Sequence, residues 1–417
     1  MRYLLYGLGI SNYSIKKHYD LEKINYEIYT DNDSTEANLD YDLIIKSPGI
    51  SNDTKLMKIV DKTKVITDLE LFYSFRKDLN LIVITGSNGK TTVTSLIGKI
   101  LKDYSYDVCG NIGTPIFEFI ETKSAGLVVE ASSYMLEYIK DFKPNVFVIL
   151  NIENHHLEHH KTFRNYYECK LKPLKNMKKN DIVIYNYDDE FLKDELKKYN
   201  VLKYTFSMKN NNADCYYENS TIYYKQDEFM KTNKLKVIGE HNIKNIMASI
   251  LAVKGLSLNI ENELVKNRIN TFEPLSHRLE KFYEVDETVF INDSKSTNPY
   301  STIEAIKSVK DKYQNKLINL IMGGKLETFN YSCLKIYLPY INEIFLFGEC
   351  AEKIKNELDI NNQLFPNLEA LINENNFNDS VVLFSPGAPS FDQFDNFEKR
   401  GEHFKELIID KYKKQYI

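Results

Sequence analysis

The stretch ITGSNGKTT, residues 84–92, lies between two apolar runs, LNLIV (79–83) and VTSLIGKIL (93–101). A glycine-rich turn that ends in Gly-Lys-Thr, with a strand before it and a helix after it, is suited to hold phosphate. Gly86 and Gly89 let the backbone turn tightly around Ser87 and Asn88 and bring its N–H groups toward phosphate oxygens. Lys90 brings positive charge to the outer phosphates, and Thr91 offers a hydroxyl to magnesium. A helix beginning near Lys90 adds the positive end of its dipole. The strict phosphate-loop spacing asks for glycine five residues before Gly89, where Ile84 stands, so an ordinary Gly-Asn turn is the alternative. Strand, Gly-Lys-Thr-Thr and helix in register favour a nucleoside triphosphate site.

At 417 residues the chain exceeds a single hydrophobic core, and two or three domains are expected. Hydrophobic residues at 43% suffice for packed cores. A formal net charge of −5 with mixed signs argues against a dedicated nucleic-acid binder, which carries a basic excess. No apolar run approaches the roughly 18 residues that span a membrane. The start, MRYLLYGLGISNYS, reads as a strand rather than a secretion signal. The five cysteines lie far apart without a C-x-x-C pair, which fits free thiols in a reducing cytoplasm. Only six of the 54 basic residues are arginine, so an Arg inside a motif draws notice for its planar fork.

The alternation of strands and helices implies an α/β fold with parallel sheets, whose ligands sit at the carboxyl ends of the strands. Three domains are expected: a Rossmann-like domain over 1–68, a central phosphate-loop domain over 69–274, and a second Rossmann-like domain over 275–417. Strands are expected at RYLLYG, YEIYTD, YDLIIKSPGI, LIVIT, GLVVEAS, NVFVILNI and DIVIYN. The Tyr-rich segment from about 200 to 238 alternates (STIYYKQ, KLKVIG) as antiparallel strands do, and a helix begins near Asn242. From about 275 the strand-loop-helix rhythm restarts with VFIND, KLINLIMGG, EIFLFGE and VVLFSPG.

Several loops carry chemistry, each with a bland alternative. GLGISN lacks the third glycine of the dinucleotide fingerprint, Asn12 standing there, and Asp31 falls where a ribose-binding acid would. A nucleotide-sugar pocket, a dinucleotide site and a structural turn all remain open. Glu130 ends one strand, and NIENHHLEHH follows another. His155/His159 and His156/His160 share helix faces, a spacing that can bind a transition metal, although no H-E-x-x-H is present. One functional His beside a magnesium site served by Glu130 is favoured. His277 and Arg278, then Asp293, Lys295 and Asn298, follow in polar loops. Ser390, Phe391, Phe394, Phe397 and Arg400 lie after the strand VVLF.

Taken in order, GLGIS, SPGI, ITGSNGKTT, GNIGTP, EASSYML, GEHN, HRLE, NDSKSTN and SPGAPSFDQF resemble the Mur ligases, ATP-dependent amino-acid ligases of peptidoglycan precursor synthesis. Within that family they resemble the branch that joins D-glutamate to UDP-N-acetylmuramoyl-L-alanine. The family's own loop is G-x-N-G-K-S/T, which accounts for Ile84. The resemblance implies a cytoplasmic, monomeric enzyme with no membrane or nucleic-acid partner, using ATP and magnesium. It implies uridine-nucleotide contacts at Ser11, Asp31, Ser47, Pro48, Gly49 and Ser132. ATP would meet the 86–92 loop with Thr92, Asn111, Asn242 and Asn245, and also His277, Arg278, Asp293, Lys295 and Asn298. Metal ligands would be Thr91, Glu130, His156 and a carbamylated Lys170, with Lys90 and Lys295 also catalytic. Ser390, Phe391 and Phe397 would face the amino acid. Three departures stand out: His155 replaces the family's Asp, Met135 its Gln, and GGKLETF its Gly-Gly-x-Asp-Lys loop, so that the family's Lys is displaced to Lys325 or lost.

Overall fold

The computed structural model describes residues 1–30, 40–153, 157–237 and 239–413. Among these, strands form three sheets. The first holds β1 (Tyr3–Tyr6), β2 (Tyr26–Tyr29), β3 (Leu43–Lys46) and β4 (Val65–Ile66), in the order β2-β1-β3-β4, all parallel. The second holds β5 (Asn80–Thr85), β6 (Tyr106–Gly110), β7 (Gly126–Glu130), β8 (Val146–Ile149), β9 (Ile182–Asn186), β10 (Leu202–Ser207), β11 (Cys215–Glu218), β12 (Thr221–Tyr224) and β13 (Asp227–Lys231). Its order is β13-β12-β11-β10-β9-β8-β5-β7-β6. The third holds β14 (Glu280–Val285), β15 (Thr288–Asn292), β16 (Leu317–Gly323), β17 (Ile341–Phe347), β18 (Leu364–Phe365) and β19 (Ser380–Phe384), in the order β14-β15-β19-β16-β17-β18. The sheets are dominated by parallel pairs, as the strand-helix alternation implies.

The chain divides into two compact units. The first comprises residues 1–234 and 243–271 and contains the first two sheets; the second comprises residues 235–242 and 272–417 and contains the third.

Central strands explain themselves by composition. β5, β7 and β8 are nearly all apolar and buried on both faces, as strands of a parallel sheet with helices on each side must be. Their register places Ile84 beside Glu130 and Thr85 beside Ile149. Gly86, Ala131 and Leu150 therefore leave one end of the sheet together.

Two readings are corrected. The Tyr-rich segment is only partly antiparallel: β10 runs parallel to β9 and β11, and the meander is β11-β12-β13. KLKVIG contributes no strand among the described residues; the third strand is the more polar DEFMK. The helix placed near Asn242 begins at Glu240. The sequence reading also passed over β4, β6, β14 and β18. β14 is an edge strand whose residues are half-exposed, and its polar-apolar mixture resembles a loop. No helix among the described residues is long and apolar enough to cross a membrane. All five cysteines are free.

Candidate functional site

The phosphate loop turns where the glycines demand it. Gly89 caps the helix Lys90–Leu101 with φ of 85°, a left-handed conformation that side chains disfavour. A Cβ there would also stand 2.5 Å from Asn245 Oδ1, so Asn245, on the helix Glu240–Lys254, packs directly on the loop. Ser87 and Asn88 are pinned from the loop after β8. Ser87 N–H donates to the Asn151 carbonyl at 3.0 Å, and Asn88 N–H to Asn151 Oδ1 at 2.8 Å. Ser87 Oγ lies 2.9 Å from Tyr166 Oη. Lys90 folds back and donates to the carbonyls of Gly86 at 2.7 Å and Ser87 at 2.9 Å. Thr91 and Thr92, in the first turn of the helix, are partly exposed.

Glu130 and Lys170 meet at this loop. Glu130 is 2% exposed; its Oε1 accepts from Asn111 Nδ2 at 2.8 Å, and its Oε2 is buried without a hydrogen-bond partner among the described residues. An orphaned buried carboxylate oxygen is costly unless something cationic meets it. Lys170, on the helix Phe163–Leu171, is fully buried and donates to the Gly86 carbonyl at 2.8 Å and toward Thr85 Oγ1 at 3.4 Å. Burial, and then the charge of Lys90, hold its pKa well below the ordinary lysine value. Thr91, Glu130 and Lys170 fit a divalent cation at the phosphate loop: a hydroxyl, an unpaired carboxylate oxygen and an amine poised to lose its proton. His156, the fourth expected ligand, lies outside the described residues, as does His155.

In the first sheet, Ser11 sits in the helix Ile10–Leu21 and Ser47 follows β3. Gly9 lies against Ser47, whose Oγ would stand 2.5 Å from a Cβ there and would have to rotate away. The Asn12 that breaks the dinucleotide fingerprint is fully buried, and its Nδ2 donates to the carbonyls of Tyr6, Gly7 and Ile45 at 3.1, 2.8 and 2.9 Å. It therefore bridges the ends of β1 and β3 and shapes the turn that the missing glycine would have shaped differently. Pro48 is partly exposed and Gly49 exposed, at the mouth of the Ser47 turn. Ser132 caps the short helix Ser133–Leu136, accepting from Met135 N–H at 3.3 Å. Asp31 lies outside the described residues. Lys46, missed by the sequence reading, is fully buried with no hydrogen-bond partner for its Nζ among the described residues, and burial lowers its pKa to about 8. Its signal was only a Lys ending an apolar strand.

In the second unit the expected residues fall into two groups. Asp293 is buried and committed internally: Oδ1 accepts from Leu279 N–H at 3.1 Å, and Oδ2 from the hydroxyls of Ser296 at 2.5 Å and Ser385 at 2.8 Å. Burial lifts its pKa to about 6. His277, with φ of 63°, is 5% exposed and has Nδ1 3.0 Å from Asn292 Nδ2 and Nε2 3.3 Å from Glu402. Asn298 caps the helix Pro299–Lys312 through Ser301 N–H at 3.0 Å. Arg278 and Lys295 are partly exposed, with Lys295 Nζ 3.9 Å over the Phe397 ring. Asn242 Nδ2 lies 3.1 Å from His241 Nε2.

The last loop is organised by Arg400, which is fully buried. Its guanidinium donates to Ser294 Oγ at 3.1 Å, Ser294 O at 2.9 Å, Ala388 O at 2.9 Å and Gly323 O at 3.4 Å. One planar fork thus joins three loops. Ser390 is buried, while Phe391 is 65% exposed. The altered GGKLETF loop runs alongside: Lys325 is exposed and its N–H donates to the Pro389 carbonyl at 2.8 Å.

Residues 84–253 match the Mur ligase middle domain. Over 410 residues the chain is 34% identical to the UDP-N-acetylmuramoylalanine–D-glutamate ligase of Caldicellulosiruptor bescii, covering 93% of this chain and 88% of that protein. The same-named ligase of Fusobacterium nucleatum is 34% identical over 437 residues, covering 97% and 98%. Among solved structures, the UDP-N-acetylmuramate-alanine ligase of Thermotoga maritima superposes with a TM-score of 0.66 at 19% identity, over 99% of this chain and 100% of that one. The MurF ligase of Thermotoga maritima, solved with ADP, gives 0.62 at 17% identity, over 90% of each. The structures show the shared fold, and the full-length identity shows more: the chain belongs to the Mur ligase family, within the group of UDP-N-acetylmuramoylalanine–D-glutamate ligases.

Proposed function

We propose that the protein joins D-glutamate to the alanyl carboxylate of UDP-N-acetylmuramoyl-L-alanine at the expense of ATP, in cytoplasmic peptidoglycan precursor synthesis. The observation that carries the reading is Glu130 Oε2, buried beside a glycine-rich phosphate loop with no hydrogen-bond partner among the described residues. The names of the full-length relatives supply the substrates.

In this reading the substrate carboxylate attacks the γ-phosphorus, ADP departs, and an acyl phosphate forms. The amine of D-glutamate then attacks the acyl carbon, loses a proton, and phosphate leaves. Phosphoryl transfer depends on positioning and charge neutralisation more than on covalent help. Gly86, Ser87, Asn88 and Gly89 present backbone N–H groups, and Lys90 swings from its loop carbonyls to the outer phosphates. Thr92 supports them, and Asn245 orients the base end of the nucleotide from the helix packed on Gly89. Magnesium, held by Thr91, Glu130, His156 and Lys170, would neutralise phosphate charge. Lys170 serves as a ligand once its neutral amine adds to carbon dioxide and loses a proton, giving a carbamate.

Ser11, Asp31, Ser47, Pro48, Gly49 and Ser132 are assigned to the UDP-sugar, and Ser390, Phe391 and Phe397 to the amino acid. The expected domains, 1–68, 69–274 and 275–417, then correspond to UDP-sugar, ATP and amino acid. Asn111 holds Glu130, and Asn242, His277, Arg278, Asp293, Lys295 and Asn298 complete the ATP set. Lys325, exposed in the altered loop, is assigned to the amino-acid carboxylate if the family's Lys is displaced rather than lost.

Phosphate release from ATP is the test. Release that requires UDP-N-acetylmuramoyl-L-alanine and D-glutamate together establishes the reading. Release with a different amino acid keeps the chemistry and changes the acceptor, and no release in any combination removes both.

A further inference from the structure

A cluster outside the phosphate-loop site draws on the histidine run in a way the sequence did not suggest. Glu137, His159 and His160 each offer a ligand atom, and these atoms lie within 4.8 Å of one another. We propose that Glu137, His159 and His160 form a binding site for a borderline divalent transition ion of the zinc class, distinct from the magnesium site assigned to Glu130 and Lys170.

The geometry is close to what such an ion needs. Zinc bonds to imidazole nitrogen and carboxylate oxygen at about 2.0–2.2 Å, so neighbouring ligands in a tetrahedron stand about 3.3 Å apart. Glu137 Oε2 and His159 Nε2 are already 3.0 Å apart. The widest pair needs a side-chain adjustment of about 1.5 Å to reach that edge. A Glu-His-His set with water in the fourth position is an established zinc coordination. A plain ion pair between Glu137 and His159 needs one imidazole; this cluster brings two.

The surrounding groups hold the ligands in place. Asn52 Nδ2 donates to Glu137 Oε1 at 2.6 Å, which leaves Oε2 turned toward His159. Asn52 Oδ1 in turn accepts from Tyr138 Oη at 2.9 Å. The Tyr134 ring packs on both imidazoles, with centroids 4.6 Å from His159 and 5.6 Å from His160. His160 Nε2 meets Ser133 Oγ at 2.9 Å and Nδ1 meets Cys169 Sγ at 3.8 Å, contacts with neutral groups that an ion can displace. Outer partners of this kind orient ligands in metal sites. The side chains of His159 and Glu137 are 7% and 13% exposed, so the ion would be shielded yet reachable.

Position gives the site a role. Asn52 follows the Ser47-Pro48-Gly49 turn of the first sheet, while Glu137, His159 and His160 lie on loops and short helices of the second. Lys161 and Asp53 add a salt bridge at 2.5 Å alongside. An ion here would staple the turn assigned to the UDP-sugar against the elements that carry the ATP loop.

Cobalt(II) titration of the chelator-stripped full-length protein, in excess magnesium, tests the site. The expected result is one saturable, zinc-displaceable visible absorption band per chain, with a rise in thermal midpoint. Glu130→Gln should retain the band, because that variant touches only the magnesium site. His159→Ala and Glu137→Gln should each lose it while keeping the metal-free far-ultraviolet spectrum of the parent. If His159→Ala does not fold, Glu137→Gln alone carries the comparison. A parent protein with no saturable band, or a band that survives in a folded His159→Ala or Glu137→Gln variant, overturns the proposal.

Discussion

The amine of Lys170 donates to the carbonyl oxygen of Gly86 at 2.8 Å from a side chain that is 1% exposed. A lysine from the helix Phe163–Leu171 is therefore packed against the phosphate loop, its charge withdrawn from water and set against Lys90. Both circumstances favour the neutral amine, which is the form that reacts with carbon dioxide. Labelling with carbon-13 bicarbonate near neutral pH should give a carbamate carbonyl resonance in the parent protein and none in Lys170→Ala. Ligase activity of that variant should fall by about 10- to 100-fold or more, as the loss of a metal-site group does. A parent protein without the resonance would show that Lys170 works as an amine.

Gly89→Ala tests whether loop geometry carries nucleotide binding. The substitution meets two obstacles, a φ of 85° and a Cβ 2.5 Å from Asn245 Oδ1. Strain of about 1–3 kcal/mol is expected, placed where the backbone N–H groups must face phosphate. Affinity for a non-hydrolysable ATP analogue, measured by calorimetry, should fall by about tenfold or more. The double variant with Asn245→Gly relieves the contact without relieving φ, and should recover only part of the loss.

How much of this was legible in the sequence depends on the scale of the signal. β5, β7, β8 and β9 announce themselves because strands buried on both faces are continuous apolar runs, and the glycine loop because it departs from ordinary composition. β14 did not, because an edge strand satisfies only one ladder and tolerates polar residues. KLKVIG shows the reverse failure: period-two alternation that forms no strand among the described residues. Site chemistry divides in the same way. Glu130 and Lys90 were visible through local motifs. The burial of Lys170, the reach of Asn12 to the Ile45 carbonyl and the meeting of Glu137 with two histidines arise from residues distant in sequence, and no local pattern encodes them.

Arg400 is one of six arginines, and its fork spans Ser294, Gly323 and Ala388 from a fully buried position. Arg400→Lys preserves charge but offers a point donor in place of a planar fork, leaving buried carbonyls unsatisfied. We expect a loss of roughly 3–5 kcal/mol in stability, because a poorly paired buried cation is added to the lost bonds. Thermal melting followed by circular dichroism checks this. A midpoint within a degree or so of the parent would mean that the lysine reaches the same carbonyls or that water replaces them.

The buried carboxyl of Asp293 should make stability depend on pH in a predictable direction. Its pKa is raised to about 6 from 3.8, chiefly by desolvation, against the hydroxyls of Ser296 and Ser385 that pull it down. The folded protein thus holds this proton more tightly than the unfolded chain does. The stabilising contribution is fully present below the unfolded pKa and is lost as pH rises through the folded one. The difference amounts to about 3 kcal/mol across that window. Asp293→Asn keeps an oxygen to accept from Leu279 N–H and turns an amide toward two serine hydroxyls that can rotate to accept, so the variant should fold. Relative to the parent, its thermal midpoint should therefore rise as pH goes from about 4 to about 7.5. A gain of about 5–10 °C is expected over that span. A midpoint difference that stays constant over this range would show that the parent carries Asp293 in a single protonation state throughout, and that the serine hydroxyls outweigh burial.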